Sequence, residues 1–178
     1  MPEITPFAEA AYLFEEFEHT AFRLETRRGY ATDRHGARYQ AFLAGEHPAY
    51  EPDSPWNAAV RAAVAQGKRY ERVRLVDDPP TDGQRFLLAS GLGNVQAGED
   101  IRNLTRADAV RLGLPDFDYW LFDSRILARF HFDDLDVTLG VEIVEDAPTV
   151  LRACQARDAA WHFAVPTGEF SRRVASGV

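Results

Sequence analysis

Two rhythms of apolar residues alternate along this chain, one at helical spacing and one at every second position. Residues 7–20 follow the first. Ala10, Leu13, Phe14, Phe17 and Ala21 recur at helical intervals, with Glu15, Glu16 and Glu18 turned away from them. "AFRLET" then switches to period two, which puts Phe22 and Leu24 on one strand face and Arg23 and Glu25 on the other. "ATDRHG" reads as a loop, and Arg38–Ala44 as one or two helical turns closed by Gly45. "SPWNAAVRAAVAQG" carries the strongest helix signature, with Ser54 as N-cap, Pro55 in the first turn and Gly67 after the last. "RYERVRLV" is a strand with Val73 and Leu75 opposite Arg72 and Arg74. Residues 82–90 predict a short helix ending near Gly91.

"EDIRNL" predicts another strand, and Thr105 with Asp108 caps a helix over 106–112. "DYWLFDS", "ILARFHFD" and "VTLGVEIV" follow as three strands with links short enough for hairpins. A last helix opens at Asp146 and Pro148 and ends near Pro166. The pattern predicts an α+β domain over residues 1–166, a mainly antiparallel sheet of about five strands packed under helices in two layers. Residues 167–178 are expected to form a mobile C-terminal tail.

Composition narrows the function classes. A length of 178 residues and 12 phenylalanines provide for one domain with a ring-rich core. No apolar run reaches the ~20 residues of a bilayer span, and the acidic N-terminal stretch lacks a basic leader, so no membrane association is expected. The lone Cys154 fits a reducing cytoplasm. A net charge of -8 argues against non-specific nucleic-acid binding. Of the 20 basic residues only Lys68 is a lysine, and arginine is the better fork for carboxylate or phosphate. A basic window (Arg61, Lys68, Arg69, Arg72, Arg74) and an acidic one (Asp133, Asp134, Asp136, Glu142, Glu145, Asp146) are either solvated faces or surfaces that steer self-association into a homodimer.

Several motifs are absent. Gly91, Gly93 and Gly98 miss the dinucleotide spacing, and no Walker lysine follows. The five histidines and Cys154 lack zinc-ligand spacing. "DDLDVTLGVEIVE" offers calcium-loop positions at Asp134, Asp136, Thr138 and Glu145, but Leu139 stands where that loop needs glycine. No metal or cofactor is therefore expected.

The candidate chemistry centres on "QAGEDIRNL". Gly98 permits a tight entry to the strand. Either Asn94 and Asp100 pin the loop and Arg102 pairs with a nearby carboxylate, or Glu99 and Arg102 point into a cleft beside Arg72 and Arg74. Adjacent strands would put Arg23, Glu25, Arg72 and Arg74 on one sheet face. Buried under helices, such charges must be paired and hint at function; on an open face they are solvated. Asp123 either makes the turn after "YWLF" or serves as acid or base at a strand end.

"FRLET", "RVRLV", "NVQAGEDIR" and "DYWLFDS", at these separations, resemble an uncharacterised actinobacterial family, a domain of unknown function of about this length. The resemblance runs from Phe14 to Ala164, and "AGEDIR" and "WLFD" are its most specific pieces. Members are often encoded beside helix-turn-helix regulators, which implies a regulatory role. The expectation is thus a cytosolic module binding a protein partner, such as a helix-turn-helix regulator, or a small anionic effector. The alternative is a metal-independent enzyme acting on an anionic or nucleotide-like molecule. In it Glu99 is the general acid or base (Asp123 the substitute), and Arg72, Arg74 and Arg102 form the anion clamp.

Overall fold

Alternation of apolar and charged side chains along "TAFRLE" is the pattern of a strand with one solvated face, yet here both faces are covered. The computed structural model describes residues 2–177. After a 3-10 turn at Phe7–Ala10 come α1 (Leu13–Glu16), β1 (Thr20–Glu25), α2 (Ala31–Arg34), α3 (Ala37–Leu43) and α4 (Pro55–Ala65). Next are β2 (Arg69–Val76), α5 (Asp82–Ala97), β3 (Asp100–Thr105) and α6 (Arg106–Arg111). The strands β4 (Tyr119–Phe122), β5 (Ile126–Phe132) and β6 (Thr138–Val144) lead to α7 (Ala147–Phe163), β7 (Val165–Pro166) and α8 (Thr167–Ser176).

The seven strands form one mixed sheet in the order β6-β5-β4-β1-β2-β3-β7. β1, β2 and β3 run parallel, and every other pair is antiparallel. This corrects the expected five-strand, mainly antiparallel sheet. The β1–β2 and β2–β3 connections are long and helical, so they are crossovers that bring the next strand in parallel rather than hairpins that reverse it. The layer count changes for the same reason. On one face the 3-10 turn, α1 and α4 cover Ala21, Tyr70, Trp120, Phe122 and Phe130. On the other, α6 and α7 cover Phe22, Leu24, Val73, Leu75, Tyr119 and Leu121. The result is three layers. Each fully buried Leu or Phe on these faces contributes about 1.5–3 kcal/mol.

Local rules explain most boundaries. Ser54 Oγ accepts the Asn57 amide, with Pro55 in the first turn of α4. Thr81 and Gln84 form a reciprocal capping box on α5. The expected stop at Gly91 does not occur, and α5 runs on to Ala97. Gly91 is there for clearance: a Cβ would meet the Arg74 guanidinium at 2.6 Å. The predicted helix over residues 7–20 is instead the 3-10 turn plus the single turn α1. Residues 167–176, expected as a mobile tail, form α8, with Thr167 and Phe170 buried and Phe170 clustered with Val76 and Leu88.

Candidate functional site

The register of β1 on β2 sets Arg23 beside Arg72 and Glu25 beside Arg74, all four on the face beneath α4 and α5. All four are buried. Glu25 is the hub. Its Oε1 accepts from Arg72 Nη1 at 2.6 Å, its Oε2 from Arg74 Nε at 2.5 Å, and Arg23 Nε lies 3.8 Å away. Burial by itself would raise the pKa of Glu25, but the charges of Arg72, Arg74 and Arg23 outweigh it and hold the carboxyl well below the usual range.

Glu99, 2% exposed, stands at the entrance to β3. Gly98 before it has φ +115°, the left-handed conformation that favours glycine, and closes α5. Glu99 Oε1 accepts both Arg72 Nε (3.0 Å) and Arg72 Nη2 (2.7 Å), a bidentate fork. Its Oε2 accepts Trp56 Nε1 at 3.0 Å and Asn94 Nδ2 at 2.8 Å. Burial pushes this carboxyl up, yet the Arg72 charge and these hydrogen bonds bring it below its ordinary value. Arg23 is held from its other side by Asp118, whose Oδ2 accepts Arg23 Nη2 at 2.8 Å. Asp118 also accepts from the Thr26 amide, the Thr26 hydroxyl and the Tyr30 hydroxyl at 2.7–2.8 Å. Burial and the charges of Glu25 and Asp118 drive the Tyr30 phenol well up.

Three guanidinium groups and three carboxylates thus balance: Arg23, Arg72, Arg74 and Glu25 form the floor of a cavity of about 720 Å³, and Glu99 and Asp118 lie buried behind it. Its walls are aromatic. Phe14, Trp56 and Trp120 lie 5.1–5.9 Å apart between centroids, and Tyr39 meets Phe86 edge to face at 5.2 Å. The cations stack on some of these rings: the Arg23 guanidinium carbon is 4.0 Å from the Phe130 centroid, and that of Arg72 is 5.5 Å from that of Trp120. Not every donor is used. Arg23 Nη1 is buried with no acceptor among the described residues. Arg74 commits Nε to Glu25 and Nη1 to the Leu87 carbonyl, leaving Nη2 without a described acceptor.

Six of the sequence candidates therefore converge: Arg23, Glu25, Arg72, Arg74, Asn94 and Glu99. Arg102 and Asp100 do not. β3 pairs Val73 with Arg102 and Arg72 with Ile101, so Arg102 projects from the opposite face. There it stacks on Trp161 at 3.9 Å and lies 3.4 Å from Asp100. The three-arginine clamp proposed around Arg102 is corrected on this point: side chains alternate, and a parallel neighbour in this register puts the even-numbered β3 residues away from the cavity. Asp123 is a turn residue. Its carboxylate accepts the amides of Glu18, His19 and Thr20 at 2.7–2.9 Å, and it and Ser124 both have left-handed φ in the β4–β5 turn. Sequence reasoning missed Trp56, Tyr30, Asp33 and Asp118 as site residues. Asp118 did carry a visible signal, an acidic residue directly ahead of a four-residue apolar strand.

Residues 8–172 match one family model, described as a domain of unknown function (DUF6879). The chain belongs to that family. No curated protein matches it. Among solved structures, a DUF6879 chain of this shape is similar to a phospholipase D family member, Nuc from Salmonella typhimurium. The identity is 11%, the TM-score 0.51, and the match covers 93% of this chain and 98% of that one. At that identity the likeness is one of fold. Among the described residues, no helix is long and apolar enough to cross a membrane, and no cluster of His, Cys, Asp and Glu suits a metal ion.

Proposed function

We propose that the cavity binds a small molecule with an anionic group and a flat apolar body, and that the protein works as a ligand-responsive module. The single observation that carries this reading is the incompletely satisfied arginine pair at an aromatic-walled cavity: Arg74 Nη2 has no described acceptor, and neither has Arg23 Nη1, which is closed off from solvent just beneath the floor. Burying three arginines in a sheet face is costly and is not an efficient route to stability. A cavity of this volume with few fixed polar groups fits a metabolite-sized ligand. The anion would take the spare guanidinium donors in charge-assisted bonds, while the rings cover its body.

The enzymatic alternative draws less support. Glu99 already accepts four hydrogen bonds and is held ionised, so it has neither a proton to give nor a lone pair placed to take one. Beside a helix-turn-helix regulator, the setting the family resemblance implied, such a ligand would serve as an effector.

Calorimetric titration with aromatic carboxylates and nucleoside monophosphates tests the reading. At least one should bind, and Arg74→Met should weaken it about tenfold or more, the worth of a charge-assisted hydrogen bond. Equal affinity in the folded variant, or no heat with any member, overturns the proposal.

A further inference from the structure

Asp33 is an isolated carboxyl in the same cavity. It lies in α2, half-buried, and lines the wall. Its side chain makes no hydrogen bond or ion pair among the described residues, although cations surround it. Each of those cations is engaged elsewhere. Arg34 is held by Asp136 at 2.9 Å and by the Leu135 carbonyl. Arg38 is held by Glu51 at 3.1 Å and by the Ala49 carbonyl. Arg74 is held by Glu25 and the Leu87 carbonyl. Burial raises the pKa of Asp33, the Glu25 charge adds to that, and the charges of Arg74, Arg38 and Arg34 do not reverse it. The fold thus keeps a carboxyl where it is penalised and gives it nothing to bind. Glu25, the other carboxylate lining this cavity, is engaged at both oxygens.

We propose that Asp33 receives the ammonium group of a zwitterionic ligand whose anionic end rests on Arg23 and Arg74. This rests on the anion-binding reading above and adds the opposite pole. An acceptor facing aromatic walls is the usual chemistry for a desolvated organic cation, since ring faces and a carboxylate both attract it. The ligand class is a small amphoteric molecule with a flat apolar body, of which an aromatic amino acid is the simplest example.

Three probes sharing one ring system separate the two poles: L-tryptophan (both charges), indole-3-propionate (anion only) and tryptamine (cation only). Each is titrated into the full chain and into Asp33→Asn at neutral pH. The wild type should bind L-tryptophan about tenfold more tightly than indole-3-propionate. D33N should abolish that preference and leave the affinity for indole-3-propionate unchanged. Thermal melting provides the folding control. Because the fold penalises the charged form, D33N should melt no lower than the wild type, whereas a structural Asp33 would show a loss. A preference for L-tryptophan that survives in D33N overturns the proposal, as does equal wild-type affinity for the two acids or silence from all three probes. If tryptamine binds and neither acid does, the anion reading fails, while loss of that binding in D33N still upholds the Asp33 pole.

Discussion

Neutralising Glu25 is the sharpest probe of the floor. In Glu25→Gln the side chain keeps its shape, but Arg72 Nη1 and Arg74 Nε lose their charged partner, and Arg23 loses the carboxylate 3.8 Å from its Nε. Three guanidinium groups are then balanced by Glu99 and Asp118 alone. Removing one member of a buried ionic cluster costs about 3–5 kcal/mol, because the partner charges stay behind without compensation. Water in the cavity can reach the freed groups, which places the loss near the lower end, about 3 kcal/mol. For a chain of this length that lowers Tm by about 6–12 °C. The double variant Glu25→Met with Arg74→Met should recover much of it. It leaves two matched pairs, Arg72 with Glu99 and Arg23 with Asp118, and fills the vacated space with apolar groups. Urea unfolding of the wild type, Glu25→Met, Arg74→Met and the double variant closes the cycle and gives the coupling energy directly. A loss under about 1 kcal/mol in E25Q, or a double variant no more stable than E25Q, would refute the view that these charges depend on one another.

Two further outcomes follow from the same geometry. Asp123→Ala removes the acceptor for three amides and puts alanine at a left-handed φ, so it should cost about 1–3 kcal/mol in urea unfolding while ligand affinity is unchanged; a selective loss of affinity would return Asp123 to the site. Acid should destabilise the protein. Glu25, Glu99, Asp77, Asp123 and Asp136 all have folded pKa values below their unfolded ones, so their contribution is complete above the ordinary carboxylate range and is lost as pH falls through the folded values. Asp33 and Glu71 are raised and act in the opposite sense, but they are outnumbered. Stability measured by urea unfolding should therefore decline below about pH 4, and less steeply in E25Q.

Period-two alternation located β1, β2 and β3 and set Arg23, Glu25, Arg72 and Arg74 on a shared face, because that information is local to each strand. Which strand lies beside which is not local. The placement of Arg102 depended on the β2–β3 register, which no short window encodes, and one residue of register decides between the cavity and the Trp161 side. Whether the charged face was covered depended on helices from α4 and α5, far along the chain. Gly91 shows the same limit. A glycine in a helical pattern reads as a stop until the arginine crossing beside it is known. Asp33 gave no signal because its distinction is the absence of a partner, a property of the assembled cavity rather than of "ATDRHG".

The two borders of the sheet are closed by segments from opposite ends of the described chain. Thr5 exchanges both backbone hydrogen bonds with Val141 on β6, and Val165–Pro166 lies along β3, with a proline where a further strand would need a donor. Each molecule thereby plugs the seams at which one copy could otherwise add to the next, strand upon strand. The guard against fibrous growth thus rests on two short peptides, and the N-terminal one is tied to the cavity as well: Phe7, two residues beyond Thr5, lines its wall and packs on Phe130, so trimming there would expose a sheet edge and loosen the arginine floor together.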